Sequence, residues 1–243
     1  MRVKDFWSFR VSALADEPAE LWIEGEIVGS RNWLWDGENV VVPTEFRDRL
    51  AELSGRDVTV WINSPGGDAF AGMCIYTMLK ERNGKTTCKV AGIAASAASV
   101  ILMAGDEILL SPASMVMIHE GATVAIGREE DMERAQAMLR AVNEAMADLY
   151  AARTGKSREE ILGMMHDETF MSPAKAIELG FADGIMYQGE DGTQRPAALI
   201  TLKDIKWPRS TLDDRETAER ARFAAEARAM KEAADRITWK PGT

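Results

Sequence analysis

Residues 89–120 read KVAGIAASAASVILMAGDEILLSPASMVMIHE, a run in which Ser96 and Ser99 sit among alanines and His119 follows a string of apolar residues. Desolvating an unpaired hydroxyl or imidazole costs about 1 to 3 kcal/mol, so each must find a partner or a chemical use. A serine becomes a nucleophile near neutral pH only beside a base, and the chain has two histidines, His119 and His166. The pattern predicts a buried strand over 90–93, a packed helix over 94–104 and a strand over 115–119 that ends on the imidazole. Ser96 then falls in the first helical turn, near the positive end of the dipole and beside unclaimed N–H groups. Ser99, one turn further in, is expected to bond back to a carbonyl or pack against a neighbour. Small residues around a serine also serve close helix packing alone. The local sequence Gly92-Ile93-Ala94-Ala95-Ser96 lacks the G-x-S-x-G elbow, so a serine hydrolase here is of another type than the α/β-hydrolases.

A second chemical signal precedes this one. A strand over 57–63 runs into Asn63-Ser64-Pro65-Gly66-Gly67-Asp68 and then into a helical pattern through Met73, Ile75, Met78 and Leu79. Paired glycines between a strand and a helix let the backbone present N–H groups, a way to build an anion or oxyanion site. Gly84-Lys85-Thr86 imitates the end of a phosphate-binding loop, but Leu79 stands where the upstream glycine belongs, which argues against nucleotide binding.

The remaining elements frame these motifs. Residues 20–28 alternate apolar and polar and read as a strand. Residues 29–39 read as a Trp-rich loop in which Trp33 and Trp35 cap the core or meet a partner. A helix is expected over 43–53, opened by Pro43. A long amphipathic helix follows over 128–153, with an apolar stripe of Met132, Met138, Leu139, Val142, Met146, Leu149 and Tyr150 that reads as core. Ser157 with Glu160 makes a capping box for a short helix to 165. Ser172 and Pro173 start another that Gly180 ends, and 181–187 returns to the sheet.

Composition narrows the class. A formal net charge of −10, with no basic cluster interleaved with aromatics, argues against nucleic acid. The two cysteines, Cys74 and Cys88, lie in apolar contexts without metal-ligand spacing and read as buried thiols of a reducing compartment. The absence of a signal peptide, transit peptide or long apolar span predicts a soluble cytoplasmic chain with no membrane partner.

NSPGG, then GIAASAAS, then SMVMIHE, in that order, resembles the proteolytic subunit of the Clp protease, ClpP, over about residues 20–186, and in character the ClpP-like head-maturation proteases of tailed bacteriophages. The resemblance implies a serine endopeptidase on an α/β fold, the ClpP and crotonase spiral of strand-strand-helix repeats with a long handle helix. It implies Ser96 as nucleophile, His119 as general base, and an oxyanion hole formed by the backbone N–H groups of Gly67 and Ala97. The family motif D-x-F-(L/M)-S-A aligns with Glu168-Thr169-Phe170-Met171-Ser172-Pro173, which puts Glu168 at the acid that orients histidine, with Asp167 as fallback. His166 is assigned no role and is expected at the surface. Neither cofactor nor metal is implied. The expected partners are a protein or peptide substrate, further copies in a ring, and either a capsid or scaffold protein or a separate ATP-driven unfoldase. The site of action is then the host cytoplasm or the procapsid.

The expected organisation is a leader over 1–19, a protease domain over 20–187 and a partly helical C-terminal extension over 188–243. Its segment 212–239 is rich in Ala, Glu and Arg and suits a partner contact in head assembly. Four other readings compete: a housekeeping ClpP-like subunit, a crotonase-like acyl-CoA enzyme, a serine-lysine peptidase, and a catalytically weak scaffold protein. The joint presence of Ser96 and His119 counts against the crotonase and scaffold readings. Lys80, Lys85 and Lys89 all precede the serine, which counts against the serine-lysine one.

Overall fold

The computed structural model describes residues 18–30, 39–53 and 55–187. The expected leader up to residue 17, the Trp33 and Trp35 loop, and the C-terminal extension with its segment 212–239 lie outside the described residues.

The chain opens with β1 (Ala19–Ile27), whose residues alternate between buried and half-buried, then β2 (Val40–Val41) and α1 (Pro43–Ala51), started by Pro43. β3 (Val58–Gly67) follows, and α2 (Ala69–Glu81) is capped by Asp68, whose Oδ1 accepts the Ala71 N–H at 2.9 Å. Next come β4 (Thr86–Ala95), α3 (Ala97–Leu102), β5 (Glu107–Leu110) and β6 (Met115–Ile118). The second half holds α4 (Glu129–Thr154), α5 (Arg158–His166), β7 (Thr169–Met171), α6 (Pro173–Glu178) and β8 (Gly184–Ile185).

The eight strands of the described residues form one mixed sheet, making the fold α/β. Along the path β2-β1-β3-β4-β5-β8 every pair is parallel. Parallel strands need crossover connections, and α2 and α3 supply those on either side of β4. Ile62 of β3, Val90 of β4 and Ile108 of β5 are fully buried beside Ile75 of α2 and Ile101 of α3. Each such side chain contributes about 1.5–3 kcal/mol by leaving water, so the sheet centre is the rigid part on which a site can be built.

β4 has two partners on the same edge. Its first half, Thr87 to Val90, pairs with Glu107 to Leu110 of β5; its last residues, Ile93 to Ala95, pair with Met115 to Met117 of β6. β6 in turn pairs antiparallel with β7, Ile118 opposite Thr169 and Met117 opposite Phe170.

Three expectations change. The helix expected from residue 94 begins at Ala97, because Ala94 and Ala95 are taken into the ladder, Ala94 lying between Ser64 and Val116. Ser96 therefore stands ahead of the helix rather than in its first turn. The long helix is core in its second half only. Val142, Met146, Ala147 and Tyr150 are buried, whereas residues 129–141 include no buried side chain and Met132 and Met138 are exposed. Cys74 is exposed on α2, and Cys88 alone of the two thiols is buried, its ionisation pushed up to about 12 by desolvation. The caps predicted from sequence are present: Ser157 and Glu160 exchange hydrogen bonds at the start of α5, and Ser172 Oγ accepts the Lys175 N–H at 3.4 Å. No described helix is long and apolar enough to cross a membrane.

Candidate active site

Open parallel sheets place functional groups beyond the carboxyl ends of their strands, and three neighbouring strand ends meet here. β3 ends on Gly66 and Gly67, β4 on Ala95 just before Ser96, and β6 on Ile118 just before His119. The register that pairs Ala95 with Met117 sets Ser96 beside the end of β6, and the Ser96 N–H donates to the Met117 carbonyl at 3.0 Å. Twenty-three residues apart in sequence, Ser96 Oγ and His119 Nε2 lie 2.7 Å apart.

Ser96 adopts φ 54° and ψ −126°, outside both helix and strand. A side-chain-bearing residue held there costs on the order of 1–3 kcal/mol, and such strain gathers at functional turns. The turn reverses the chain sharply from β4 into α3 and presents the hydroxyl to the imidazole. A hydroxyl donating to Nε2 requires that nitrogen to carry its lone pair, which puts the ring proton on Nδ1. The pair can then move a proton from oxygen to nitrogen without rearrangement.

The two glycines are held against different partners. A Cβ on Gly66, whose φ is +98°, would lie 2.6 Å from the Ala95 carbonyl oxygen, 2.7 Å from Ser96 Cβ and 2.9 Å from the Ala97 nitrogen. Only a residue without a side chain can abut the serine this closely. Gly67, at φ +140°, is pressed on the Ile27 carbonyl of β1 and leads into α2. Ala97 is the first residue of α3, where no preceding turn supplies a carbonyl for its N–H.

The carboxylates stand apart. Asp167 and Glu168 are both exposed, and neither hydrogen-bonds His119 among the described residues. Asp167 caps the end of α5. Glu168 sits at φ 48°, its N–H on the Met165 carbonyl at 3.2 Å. The β6–β7 ladder ends on the pair Ile118–Thr169, with His119 the next residue after one strand and Glu168 the residue before the other. His166 is at the surface as expected, with Nδ1 3.4 Å from Glu120 Oε2.

Two residues that sequence reasoning passed over shape the site. Ser64 is fully buried; its Oγ donates to the Gly25 carbonyl at 2.6 Å and accepts the Gly66 N–H at 3.1 Å, fixing the turn that carries both glycines. A serine two residues before such a turn is a recognisable side-chain turn signal. Tyr150, read as one apolar position among seven, places its hydroxyl 2.7 Å from Ser99 Oγ. A tyrosine in an apolar stripe that reads as core carries a hydroxyl that usually finds a hydrogen-bond partner, and this is the signal in the sequence.

The family model described as Clp protease matches residues 49–189, more than half of the chain. The chain is 31% identical over 135 residues to an ATP-dependent Clp protease proteolytic subunit of Deinococcus radiodurans, covering 55% of this chain and 66% of that protein. It is 35% identical over 135 residues to the subunit of the same description from Mesostigma viride, covering 55% and 59%. It is 28% identical over 206 residues to the chloroplastic ATP-dependent Clp protease proteolytic subunit 3 of Arabidopsis thaliana, covering 79% and 66%. The matches thus span 59–66% of these relatives' lengths, less than two thirds of each.

Proposed function

The chain belongs to the Clp protease family, and on that premise we propose that it is a serine endopeptidase in which Ser96 is the nucleophile and His119 its base. The observation that carries the proposal is the 2.7 Å approach of Ser96 Oγ to His119 Nε2 at the meeting of three strand ends. His119 takes the Ser96 proton as the oxygen attacks a peptide carbonyl. The backbone N–H groups of Gly67 and Ala97 hold the developing oxyanion, the imidazolium returns its proton to the leaving amine, and water releases the acyl group by the same path. The acid proposed to orient the ring through Nδ1–H is Glu168, with Asp167 as fallback; the family motif and its place next to the last β6–β7 pair support Glu168, whose exposed carboxylate has to turn to the ring to do so. Every proton and electron pair is supplied by side chains, backbone and water.

The finer architecture is read as the strand-strand-helix spiral shared with the crotonases, with α4 as the handle, assembled into a ring that admits unfolded chains. Exposed apolar side chains support the assembly. Val124 and Ile126 are 89% and 93% exposed just before α4, and Met132 and Met138 are exposed along its unburied half. The names of the relatives favour a subunit supplied with substrate by a separate ATP-driven partner. A role in processing scaffold and capsid proteins during phage head maturation rests on sequence character and on segment 212–239.

Incubating the chain with an unfolded polypeptide tests the proposal. Cleavage should occur without added nucleotide and vanish in Ser96→Ala, since losing such a nucleophile costs about 10⁶ in turnover. Undiminished cleavage by a folded Ser96→Ala variant would end it.

A further inference from the structure

We propose that Tyr150 and Ser99 are positioning residues for the oxyanion site: a two-hydroxyl relay from α4 that fixes the peptide unit joining Ser96 to Ala97 and so aims the Ala97 N–H. The inference rests on the reading of Ser96 as nucleophile and adds two residues that the reading does not use.

Ser99 is fully buried, with its Oγ 2.6 Å from the Ser96 carbonyl oxygen and 2.7 Å from Tyr150 Oη. A carbonyl oxygen can only accept, so the single Ser99 hydroxyl proton is committed to it. Tyr150 must then be the donor in the other contact, and the direction is fixed: Tyr150 O–H to Ser99 Oγ, Ser99 O–H to Ser96 C=O. Burial pushes the Tyr150 phenol well above its ordinary range, so it keeps that proton at any working pH.

The end of the relay is what gives it a role. The Ser96 carbonyl and the Ala97 N–H are opposite ends of one planar trans peptide, so fixing the direction of one fixes the other. The Ser96 oxygen already accepts the N–H groups of Ser99 at 2.9 Å and Val100 at 3.4 Å. The extra hydroxyl is therefore not needed merely to satisfy it. A third donor tightens its orientation, and donors on a carbonyl polarise the peptide so that its N–H becomes a stronger donor. The peptide needs this hold because Ser96 sits in a strained conformation whose relaxation would swing the Ala97 N–H away. Tyr150 is itself anchored, its ring 5.7 Å from that of Phe181 in the core.

The test uses Tyr150→Phe, which deletes one oxygen and keeps the ring, Ser99→Ala, and the double variant. Each is assayed for kcat and KM on a peptide substrate and for Ki of a peptide boronate, whose tetrahedral adduct places an oxygen where the oxyanion forms. Fluorophosphonate labelling of Ser96 in the unsubstituted chain is the reference. The relay predicts that Ser99→Ala lowers kcat and weakens the boronate by about tenfold with KM within about twofold. Tyr150→Phe should move the same two quantities by less. The double variant should match Ser99→Ala, because Tyr150 acts only through Ser99. An unchanged kcat and boronate Ki in Ser99→Ala overturns the relay. So does a double variant that loses the product of the single effects, or losses in kcat, KM and Ki that merely track a loss of folded protein. If Ser96 of the unsubstituted chain takes no label, the nucleophile reading falls and the relay with it; a labelled Ser96 with an unmoved Ki removes the relay alone.

Discussion

Substituting alanine at Gly66 separates the chemistry of the glycine turn from its stability. The new Cβ would meet the Ala95 oxygen at 2.6 Å, Ser96 Cβ at 2.7 Å and the Ala97 nitrogen at 2.9 Å, all parts of the site's own backbone or of its nucleophile. Gly55 is a built-in control: its φ of +79° is comparable to the +98° of Gly66, but nothing among the described residues lies within 4 Å of where its Cβ would stand. Both substitutions carry the left-handed strain of about 1–2 kcal/mol and the partly compensating loss of chain freedom in the unfolded state, about 0.4–1 kcal/mol. Their difference isolates the contact term, about 1–3 kcal/mol for a forced methyl. Gly66→Ala should thus be less stable than Gly55→Ala by that amount in urea unfolding. A displacement of Ser96 or Ala97 by about 1 Å should slow fluorophosphonate acylation about a hundredfold, while Gly55→Ala labels at the unsubstituted rate. Equal stabilities and equal labelling rates for the two variants would refute the close packing of Gly66 on Ser96.

Two further outcomes follow from other parts of the structure. If Glu168 orients the ring, Glu168→Gln should cut turnover on the order of a thousandfold or more and Asp167→Asn far less, measured by steady-state hydrolysis; the reverse ranking would move the acid to Asp167. Native alkylation at about pH 8 should modify exposed Cys74 and spare Cys88, which is buried and kept as the neutral thiol. Equal modification of both in the folded protein, read by mass spectrometry, would contradict the burial of β4.

Motif order singled out Ser96 and His119, which the structure brings to 2.7 Å of each other, because each is a polar residue in or at the end of an apolar run that reads as a strand or helix on its own. What brings them together was not legible. It depends on β4 leaving β5 for β6 part-way along its length, a pairing choice made by tertiary packing rather than by local pattern. The same ladder explains why Ala94 and Ala95 are strand despite alanine's helical preference: partners on both sides of Ala94 and on one side of Ala95 outweigh a propensity of a few tenths of a kcal/mol. β5, only four residues of EILL, is too short to show a period. The stripe on α4 has one unbroken period, yet packing covers only its second half, since period shows which face is apolar and not what meets it. Apolar flanks hid the exposure of Cys74 for the same reason. The family motif points to Glu168 for the carboxylate, but motif spacing says nothing of side-chain direction, and both Glu168 and Asp167 are exposed.

The central claim is that Ser96 is the one activated hydroxyl of the chain. Treating the folded protein with a fluorophosphonate and locating the adduct by mass spectrometry tests it most directly. The account predicts a single adduct on Ser96, lost in His119→Ala, where the serine remains but its base is gone. No adduct on folded protein, an adduct on Ser99 instead, or undiminished labelling of Ser96 without His119 would contradict it.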